Sequence, residues 1–399
     1  MSRYKQFRRR LKQQWRPVVV GLVLVLGPLG LFTFRLASHT RGILPEEQTY
    51  IDDSASMSQV MQSPSFMPHR LAIYGFQKLG IEHILYYRLI SVVIGIIAVW
   101  SFYYVVQRWY TRRVALIGTI LFSTSSLVLH ATRTALPDVL LLGMLTTIAV
   151  GLWLQRTKRR VFALYVFIAT LVMTVYIPGL MWVGVAALVW QGRRLVRAVG
   201  RQRLLHKFGL IVLPSVLLVP AIVSVALHPV ELLTIAGLPT HLASLSAYGS
   251  HVKDSIQGLV WGYQSSPSRW VPGTPIFDVI TLTMIVLGIY SLRFERKLRR
   301  SRIQLGILTI TGLLVLSTGP VTMVALAPMF YLLATGGFAF MLQQWFTVFP
   351  RNPFARVVAI ICISSTVLGV TIYQSYRYFT VWPNHPDVRV VLSDRYLIK

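Results

Sequence analysis

Carboxylates are scarce in this chain of 399 residues, and five of its 12 acidic residues lie within one stretch. They are Glu46, Glu47, Asp52, Asp53 and Glu82. Pro45 stands directly before the first pair and predicts a helix start, because proline is tolerated at the first helical position and carboxylates stabilise the positive end of a helix. A carboxylate fixed in this way can act as a general base that takes a proton from a hydroxyl. The sequence leaves two interpretations open: Glu46 and Glu47 are catalytic, or they only cap this helix.

A further acidic residue with a defined place is Asp138, which ends the segment His130-Ala-Thr-Arg133-Thr-Ala-Leu-Pro137-Asp138. Pro137 places Asp138 in the first turn of a helix, where the helix dipole stabilises its anion. Arg133 is the predicted partner of Asp138 in an ion pair, since it can fold back from the turn. This pair is either part of a substrate site or a structural contact that closes the turn.

Cationic and polar side chains fall in the same long connections as these acids. The candidate substrate-binding residues are Arg133, Arg88, His69, Arg70, Lys253 and Arg269. Permanent cations beside carboxylates suit a substrate that carries a phosphate and a hydroxyl. The segment 228–275 also holds tyrosines and tryptophans, which either stack on a sugar or form an interfacial aromatic belt. Its histidines His241 and His251 do not form a recognised metal pattern, and we predict no metal ion.

The elements that position these residues follow from composition: the chain is 54% hydrophobic and 13% charged, with a mean hydropathy of +0.60. Apolar runs of about 20 residues, long enough to cross a bilayer, recur along its length. We predict eleven spans, at 17–34, 89–107, 114–130, 136–154, 161–175, 179–190, 208–227, 276–292, 303–318, 321–342 and 357–373. The fifth and sixth are separated by Tyr176-Ile-Pro178-Gly179, which predicts a helical hairpin rather than one long helix. The sequence therefore predicts an all-α polytopic membrane protein and excludes a soluble enzyme and a secreted disulfide scaffold.

The net charge of +28 is explained by membrane topology. With the N-terminus in the cytoplasm, alternate connections hold 28 of the 40 lysines and arginines and one of the 12 acids, as the positive-inside rule expects. A chain this basic often binds nucleic acid, but this distribution argues against a nucleic-acid partner.

The predicted organisation is a cytoplasmic N-terminus at 1–16, a first transmembrane helix at 17–34, a first extracytoplasmic loop with interfacial helices at 35–88, helices two to seven at 89–227, a second extracytoplasmic loop at 228–275, helices eight to eleven at 276–373 and a short extracytoplasmic tail at 374–399.

Other sequence signals narrow the function further. No P-loop, dinucleotide-binding or zinc-protease signature occurs in a supportive context. The sequence therefore does not support an ATP-driven pump or a dehydrogenase. Cys362 is the single cysteine, so no internal disulfide forms. The first apolar run is longer than a usual signal sequence, and we expect it to stay as an uncleaved helix.

The order of these features resembles a known family, the GT-C glycosyltransferases, and in particular its family 39 branch of protein O-mannosyltransferases and aminoarabinose transferases. The shared features are Pro45-Glu46-Glu47, Pro68-His69, Arg88-Leu-Ile-Ser91, Arg112-Arg113-Val-Ala-Leu-Ile-Gly and Arg133…Pro137-Asp138-Val-Leu-Leu. They cover residues 15–190, and beyond them only the helix-rich architecture is similar. The family usually has Asp-Glu where this chain has Glu46-Glu47, so the first carboxylate reaches one methylene further.

The resemblance implies a GT-C-like arrangement of about 11 transmembrane helices and an integral glycosyltransferase of the cell membrane. It implies that a sugar moves, with inversion, from a polyprenyl-phosphate-linked donor to an acceptor on the extracytoplasmic side. No cofactor is implied beside this donor substrate, and a need for a divalent metal stays open. The partners are then membrane lipid and the lipid-linked donor, and the acceptor is a protein, a lipid or a glycan. The implied catalytic residues are Glu46, Glu47 and Asp138, with a first-loop carboxylate as the general base.

Two other functions stay open at this point. The chain is a non-catalytic relative that binds lipid-linked sugar, which the Glu46-for-Asp replacement favours, or it is a transporter or flippase of a lipid carrier. A transporter is expected to contain broken helices and ionisable groups near the middle of the membrane. Here the turn at 176–179 is the one break in the predicted spans, and no charge lies at a predicted span centre.

Overall fold

The computed structural model describes residues 20–38, 42–157, 160–241, 244–262, 267 and 269–393, and every regular element in these ranges is a helix. The α-helices are α1 (Val20–Thr33), α2 (Pro45–Asp52), α3 (Met57–Gln62), α4 (Met67–Lys78), α5 (Ile84–Trp109), α6 (Arg112–Thr124), α7 (Ser126–Arg133), α8 (Gly143–Leu154), α9 (Arg160–Val175), α10 (Leu180–Gly200), α11 (Leu204–Leu227), α12 (Glu231–Ala236), α13 (Leu245–Val260), α14 (Val279–Glu295), α15 (Arg299–Leu316), α16 (Ala327–Val348), α17 (Pro353–Tyr376), α18 (Trp382–Asn384) and α19 (Pro386–Ser393). Two 3₁₀ helices, Pro137–Leu142 and Met323–Leu326, and a π-helical turn, Arg377–Val381, complete the helical elements of this part of the chain. The predicted all-α class is confirmed.

Five helices in the described ranges are long and apolar enough to cross a membrane by themselves. They are Ile84–Trp109, Pro137–Leu154, Leu204–Leu227, Met323–Val348 and Pro353–Asn384. The helices α6 and α7 pass the same test together, and α1 and α9 are shorter apolar helices. The chain is therefore a polytopic membrane protein. A described helix occupies part or all of each of the eleven predicted spans, and the count of eleven crossings stays a prediction.

The predicted third span, 114–130, is not one straight helix. The axes of α6 and α7 differ by 61° at Ser125. A polar contact fixes the bend, because the backbone N–H of Ser126 donates to Oε1 of Gln374 at 3.1 Å and its hydroxyl donates to the same atom at 2.7 Å. The bend directs the C-terminal end of α7, which carries Arg133, toward the end of α1.

The break predicted between the fifth and sixth spans is present. The helix α9 ends at Val175, α10 begins at Leu180, and the two pack against each other. Gly179 adopts a left-handed conformation with φ of 75°, which favours glycine. Its N–H donates to the carbonyl of Ile235 at 2.9 Å, so this turn also anchors α12 of the second long loop.

The first long loop folds into the short helices α2, α3 and α4. As the sequence predicted, α2 begins at Pro45. The helix α4 begins after Phe66, which has a φ of 58° and whose N–H donates to the carbonyl of Tyr176 at 2.6 Å. This contact holds the start of α4 against the α9–α10 turn.

The segment predicted as a C-terminal tail, 374–399, begins inside the protein core. The helical path that starts at Pro353 continues to Asn384, and it buries Tyr378 and Trp382 almost completely. Both rings contact the ring of His130, with centroids 4.7 and 4.5 Å away. The first part of this segment therefore packs against the helix bundle, and its last residues, 394–399, lie outside the described ranges. The predicted boundary at residue 374 and the extracytoplasmic location stay predictions.

Candidate active site

A cavity of about 210 Å³ lies beside the start of the Pro137–Leu154 span. Its polar lining residues include Thr134, Asp138, His251, Ser255, Arg269 and Thr322. Apolar residues such as Leu127, Trp270 and Val321 line the rest. A pocket with an apolar wall and a few convergent polar groups is the usual form of a ligand site.

Asp138 lies in the wall of this cavity because Pro137 starts the 3₁₀ helix directly before it. Its Oδ2 is 3.9 Å from Nη1 of Arg269, and its Oδ1 accepts a hydrogen bond from the Thr322 hydroxyl at 3.4 Å. Arg269 comes from the second long loop and Thr322 from the residues before α16. Three separate segments thus meet at this carboxylate.

The predicted ion pair between Arg133 and Asp138 is wrong, since Asp138 pairs with Arg269. The guanidinium of Arg133 instead caps the end of α1, donating to the carbonyls of Leu31, Phe32 and Phe34 at 2.8, 2.8 and 2.7 Å. These carbonyls belong to the last turn of the helix and the residue after it, where the backbone lacks intrahelical partners and the dipole attracts a cation. Arg133 is almost completely buried, so its contacts are those of a structural anchor.

Glu47 and Arg88 form a fully buried bidentate pair. Nε of Arg88 donates to Oε1 of Glu47 at 3.0 Å, and Nη2 donates to Oε2 at 2.6 Å. The carboxylate also accepts the N–H of Ala135 at 2.6 Å and that of Leu44 at 3.1 Å, and the latter bond caps the start of α2. The capping interpretation therefore holds for Glu47, and the same carboxylate joins α2 to α5 and to the turn before Asp138.

Arg88 is held on its other side by the backbone. Its Nη1 donates to the carbonyl of Leu36 at 2.9 Å and its Nη2 to that of Gly42 at 3.3 Å. Every one of these contacts is to the protein itself, and the guanidinium is 1% exposed. The structure places Arg88 behind the site rather than in the cavity wall.

The side chain of Glu46 projects from α2 about 100° around the helix axis from that of Glu47, and it is partly exposed. It is not a lining residue of the cavity, but it lies close enough to Asp138 for the two carboxylates to interact electrostatically. Tyr50, one turn further along α2, also interacts with Asp138, and burial raises the pKa of its hydroxyl, which keeps its proton. Glu46 and Tyr50 thus lie within electrostatic range of Asp138.

His69 and Arg70 lie next to Tyr50. The ring of His69 is 5.6 Å from that of Tyr50, and its Nε2 is 3.1 Å from the Ser91 hydroxyl. Complete burial lowers the pKa of His69 to about 3, so this side chain is a neutral hydrogen-bonding group at physiological pH. The guanidinium of Arg70 lies 5.4 Å from the centre of the Tyr50 ring. Both residues support the α2 face that carries Glu46.

The predicted binding residues of the second long loop separate in space. Arg269 lines the cavity and remains 43% exposed, whereas Lys253 is exposed on α13 and is not a lining residue. Thr322 was not among the predicted site residues, whereas Trp270, one of the aromatic residues of the second long loop, lines the cavity and lies 5.5 Å from the His130 ring. Thr322 gives no signal in the sequence, since it is one of many threonines near an apolar run.

Within the described ranges, no group of three or more histidine, cysteine, aspartate or glutamate side chains lies close enough to hold a metal ion. The predicted absence of a metal stays a prediction.

The chain is similar in structure to ArnT from Cupriavidus metallidurans. The apo ArnT structure has a TM-score of 0.52 and 15% sequence identity, and the match covers 94% of this chain and 77% of ArnT. ArnT bound to undecaprenyl phosphate gives a TM-score of 0.48 and 17% identity over 95% of this chain and 77% of ArnT. No protein-family model and no curated protein sequence matches this chain. The similarity to apo ArnT agrees with the resemblance in the sequence, and the chain has a GT-C-like fold.

Proposed function

We propose that this protein is a membrane glycosyltransferase that moves a sugar from a polyprenyl-phosphate carrier to a hydroxyl acceptor at the membrane surface. The observation that carries the proposal is the pairing of Asp138 with Arg269 in the wall of a partly apolar cavity, with Glu46 within electrostatic range of Asp138. Carboxylates for the acceptor and a cation for the phosphate are the groups that this reaction needs. The GT-C-like fold supports the same assignment.

In the proposed reaction, the acceptor oxygen attacks the anomeric carbon from the face opposite the lipid phosphate. The new carbon–oxygen bond forms as the sugar–phosphate bond breaks, and the electron pair of that bond leaves with the phosphate. The carboxylate of Glu46 takes the acceptor proton, and the guanidinium of Arg269 stabilises the negative charge of the departing phosphate. Asp138 orients Arg269 and does not itself need to take a proton.

Arg269 is suited to bind a phosphate, because its contact with Asp138 is long, at 3.9 Å, and the side chain is 43% exposed. At this distance the contact is not a hydrogen bond, so it holds the guanidinium only loosely. A phosphate in the cavity gains a charge-assisted bond from Arg269 without breaking a buried network. Arg88 and Arg133 are poorly suited, since the backbone and Glu47 already bind them.

We further propose that the site faces the extracytoplasmic side of the cell membrane, with the N-terminus in the cytoplasm and the C-terminus outside. The support is the charge distribution of the sequence, in which the connections at the opposite ends of the spans hold most of the lysines and arginines. Labelling of single cysteines introduced at exposed loop positions tests this orientation.

Replacement of Arg269 tests the phosphate assignment. We expect Arg269→Gln to weaken binding of polyprenyl phosphate about 10- to 100-fold, because a hydrogen bond to a charged group contributes about 1.5–3 kcal/mol. The matched control is Lys253→Gln, which removes one exposed cation from the same loop outside the cavity. Binding is measured by titration of the purified full chain in detergent, and transfer is followed as release of polyprenyl phosphate from a polyprenyl-phosphate-linked sugar. Equal loss in both variants, or no loss in either, would contradict the assignment.

A further inference from the structure

A second, basic cavity lies at the opposite end of the Pro137–Leu154 span from the candidate active site. Asp138 is the second residue of this span, and Gln155, directly after its last residue, lines the second cavity. Eighteen residues of helix separate these ends by roughly 27 Å or more, which is close to the thickness of the hydrocarbon core of a bilayer. The two cavities therefore lie near opposite membrane surfaces.

The second cavity has a volume of about 340 Å³ and lies between the ends of α8 and α10. Its charged lining residues are Arg194, Arg197 and Arg201. Spacings of three and four residues place these arginines on one face of α10. Neither aspartate nor glutamate is present among the described residues that line it. This cavity thus gathers positive charge without an anionic side chain to balance it.

Two amide side chains in the cavity wall have buried polar atoms without a partner among the described residues. Gln191 is 1% exposed, and neither its Oε1 nor its Nε2 makes a hydrogen bond to any residue that the structure describes. Nε2 of Gln155 is also buried without a described partner. Buried polar groups are almost always hydrogen-bonded, because leaving one unsatisfied is costly. Unpartnered amides beside three arginines fit a ligand with several acceptor oxygens.

We propose that this cavity binds the phosphate group of an anionic phospholipid from the membrane leaflet opposite the active site. The arginines supply charge-assisted hydrogen bonds to the phosphate oxygens, and the amides of Gln155 and Gln191 bond the ester or hydroxyl oxygens of the headgroup. Basic pockets between membrane helices are suited to such headgroups. This site is independent of the proposed sugar transfer.

An apolar cavity one to two turns further along α8 and α10 favours a lipid over free phosphate. Trp190, the residue before Gln191, lines a cavity of about 140 Å³ between α8, α10 and α15. Its other walls are mostly aliphatic, as in Ile148, Ile303 and Ile307, and Arg302 also lines it. An acyl chain can occupy such a groove while its headgroup lies among the arginines. Inorganic phosphate has no apolar part that could bind there.

The test compares ligands on the full chain purified in a neutral detergent. The probes are dihexanoyl phosphatidylglycerol, dihexanoyl phosphatidylcholine and inorganic phosphate, and the readout is the rise in the melting temperature with ligand concentration. We expect phosphatidylglycerol to stabilise the protein at concentrations at least about tenfold lower than either of the others. Phosphatidylcholine lacks the net negative charge that the arginines attract, and inorganic phosphate lacks acyl chains for the apolar cavity. Saturation by inorganic phosphate at the same concentration would overturn the lipid assignment.

Variants locate the effect in this cavity. The triple variant Arg194→Gln, Arg197→Gln and Arg201→Gln is expected to weaken the phosphatidylglycerol effect at least about tenfold. The matched control replaces Arg293, Arg296 and Lys297 by glutamine, which removes the same charge from the exposed end of α14. An equal loss in both triple variants would show only a diffuse surface effect and would overturn the proposal.

Gln191→Leu gives a second, independent readout. It removes an unsatisfied buried amide, so the ligand-free protein is expected to melt at a higher temperature than the wild type. The same variant is expected to respond more weakly to phosphatidylglycerol, because one hydrogen-bonding group of the site is lost. A lower melting temperature without ligand, together with an unchanged response, would contradict the site.

Discussion

Glu46→Gln is expected to lower the kcat of sugar transfer about 10²- to 10⁴-fold, which is the usual contribution of a general base. The amide has nearly the shape of the carboxylate but cannot take the acceptor proton. Donor binding is expected to change little, because the phosphate is assigned to Arg269 and Glu46 is not a lining residue of the cavity. The measurement is steady-state release of polyprenyl phosphate by the purified variant, with KM determined beside kcat.

Asp138→Asn separates the two carboxylates. Asp138 contacts Arg269, so this variant is expected mainly to raise the KM for the donor. If Asp138→Asn abolished kcat while Glu46→Gln left it unchanged, the roles assigned to the two residues would be reversed. If every variant bound donor and none, including the wild type, turned it over, the chain would be a non-catalytic relative.

Breaking the buried pair is expected to destabilise the protein strongly. Arg88→Met leaves the carboxylate of Glu47 buried without its cation, and loss of one partner of such a pair costs about 3–5 kcal/mol. Glu47→Gln leaves the guanidinium of Arg88 buried without its counter-ion, and we expect a similar loss in the free energy of unfolding. The free energy of unfolding is measured in detergent micelles with chemical denaturant.

The double variant Glu47→Gln, Arg88→Met is the internal control for this pair. It removes both charges, so its loss of stability is expected to be smaller than the sum of the two single losses. The ion pair of Glu295 and Arg300 is a second control, since both side chains are partly exposed and Arg300→Met is expected to cost about 1 kcal/mol. Additive losses at Glu47 and Arg88 would show that the two side chains are not energetically coupled.

The sequence predicted those local features that short-range chemistry determines. Pro45 starts α2, the Pro178-Gly179 turn separates α9 from α10, and Asp138 lies in the first turn after Pro137. Proline and glycine restrict the backbone wherever they occur, so these predictions did not depend on the rest of the fold.

Long-range pairing could not be predicted in the same way. Arg133 is five residues from Asp138 in sequence, yet it binds α1 because the bend at Ser125 turns α7 toward that helix. Asp138 instead forms its ion pair with Arg269, which belongs to a loop more than a hundred residues away in the sequence. Hydropathy likewise gives apolar runs but not their bends or exact ends, so eleven runs do not by themselves establish eleven crossings.

A structure of the full chain with polyprenyl phosphate bound tests the central claim most directly. We expect the phosphate in the 210 Å³ cavity, within about 3 Å of the Arg269 guanidinium, with Glu46 and Asp138 beside the position of the sugar. A phosphate bound elsewhere while this cavity stays empty at saturating ligand would contradict the account.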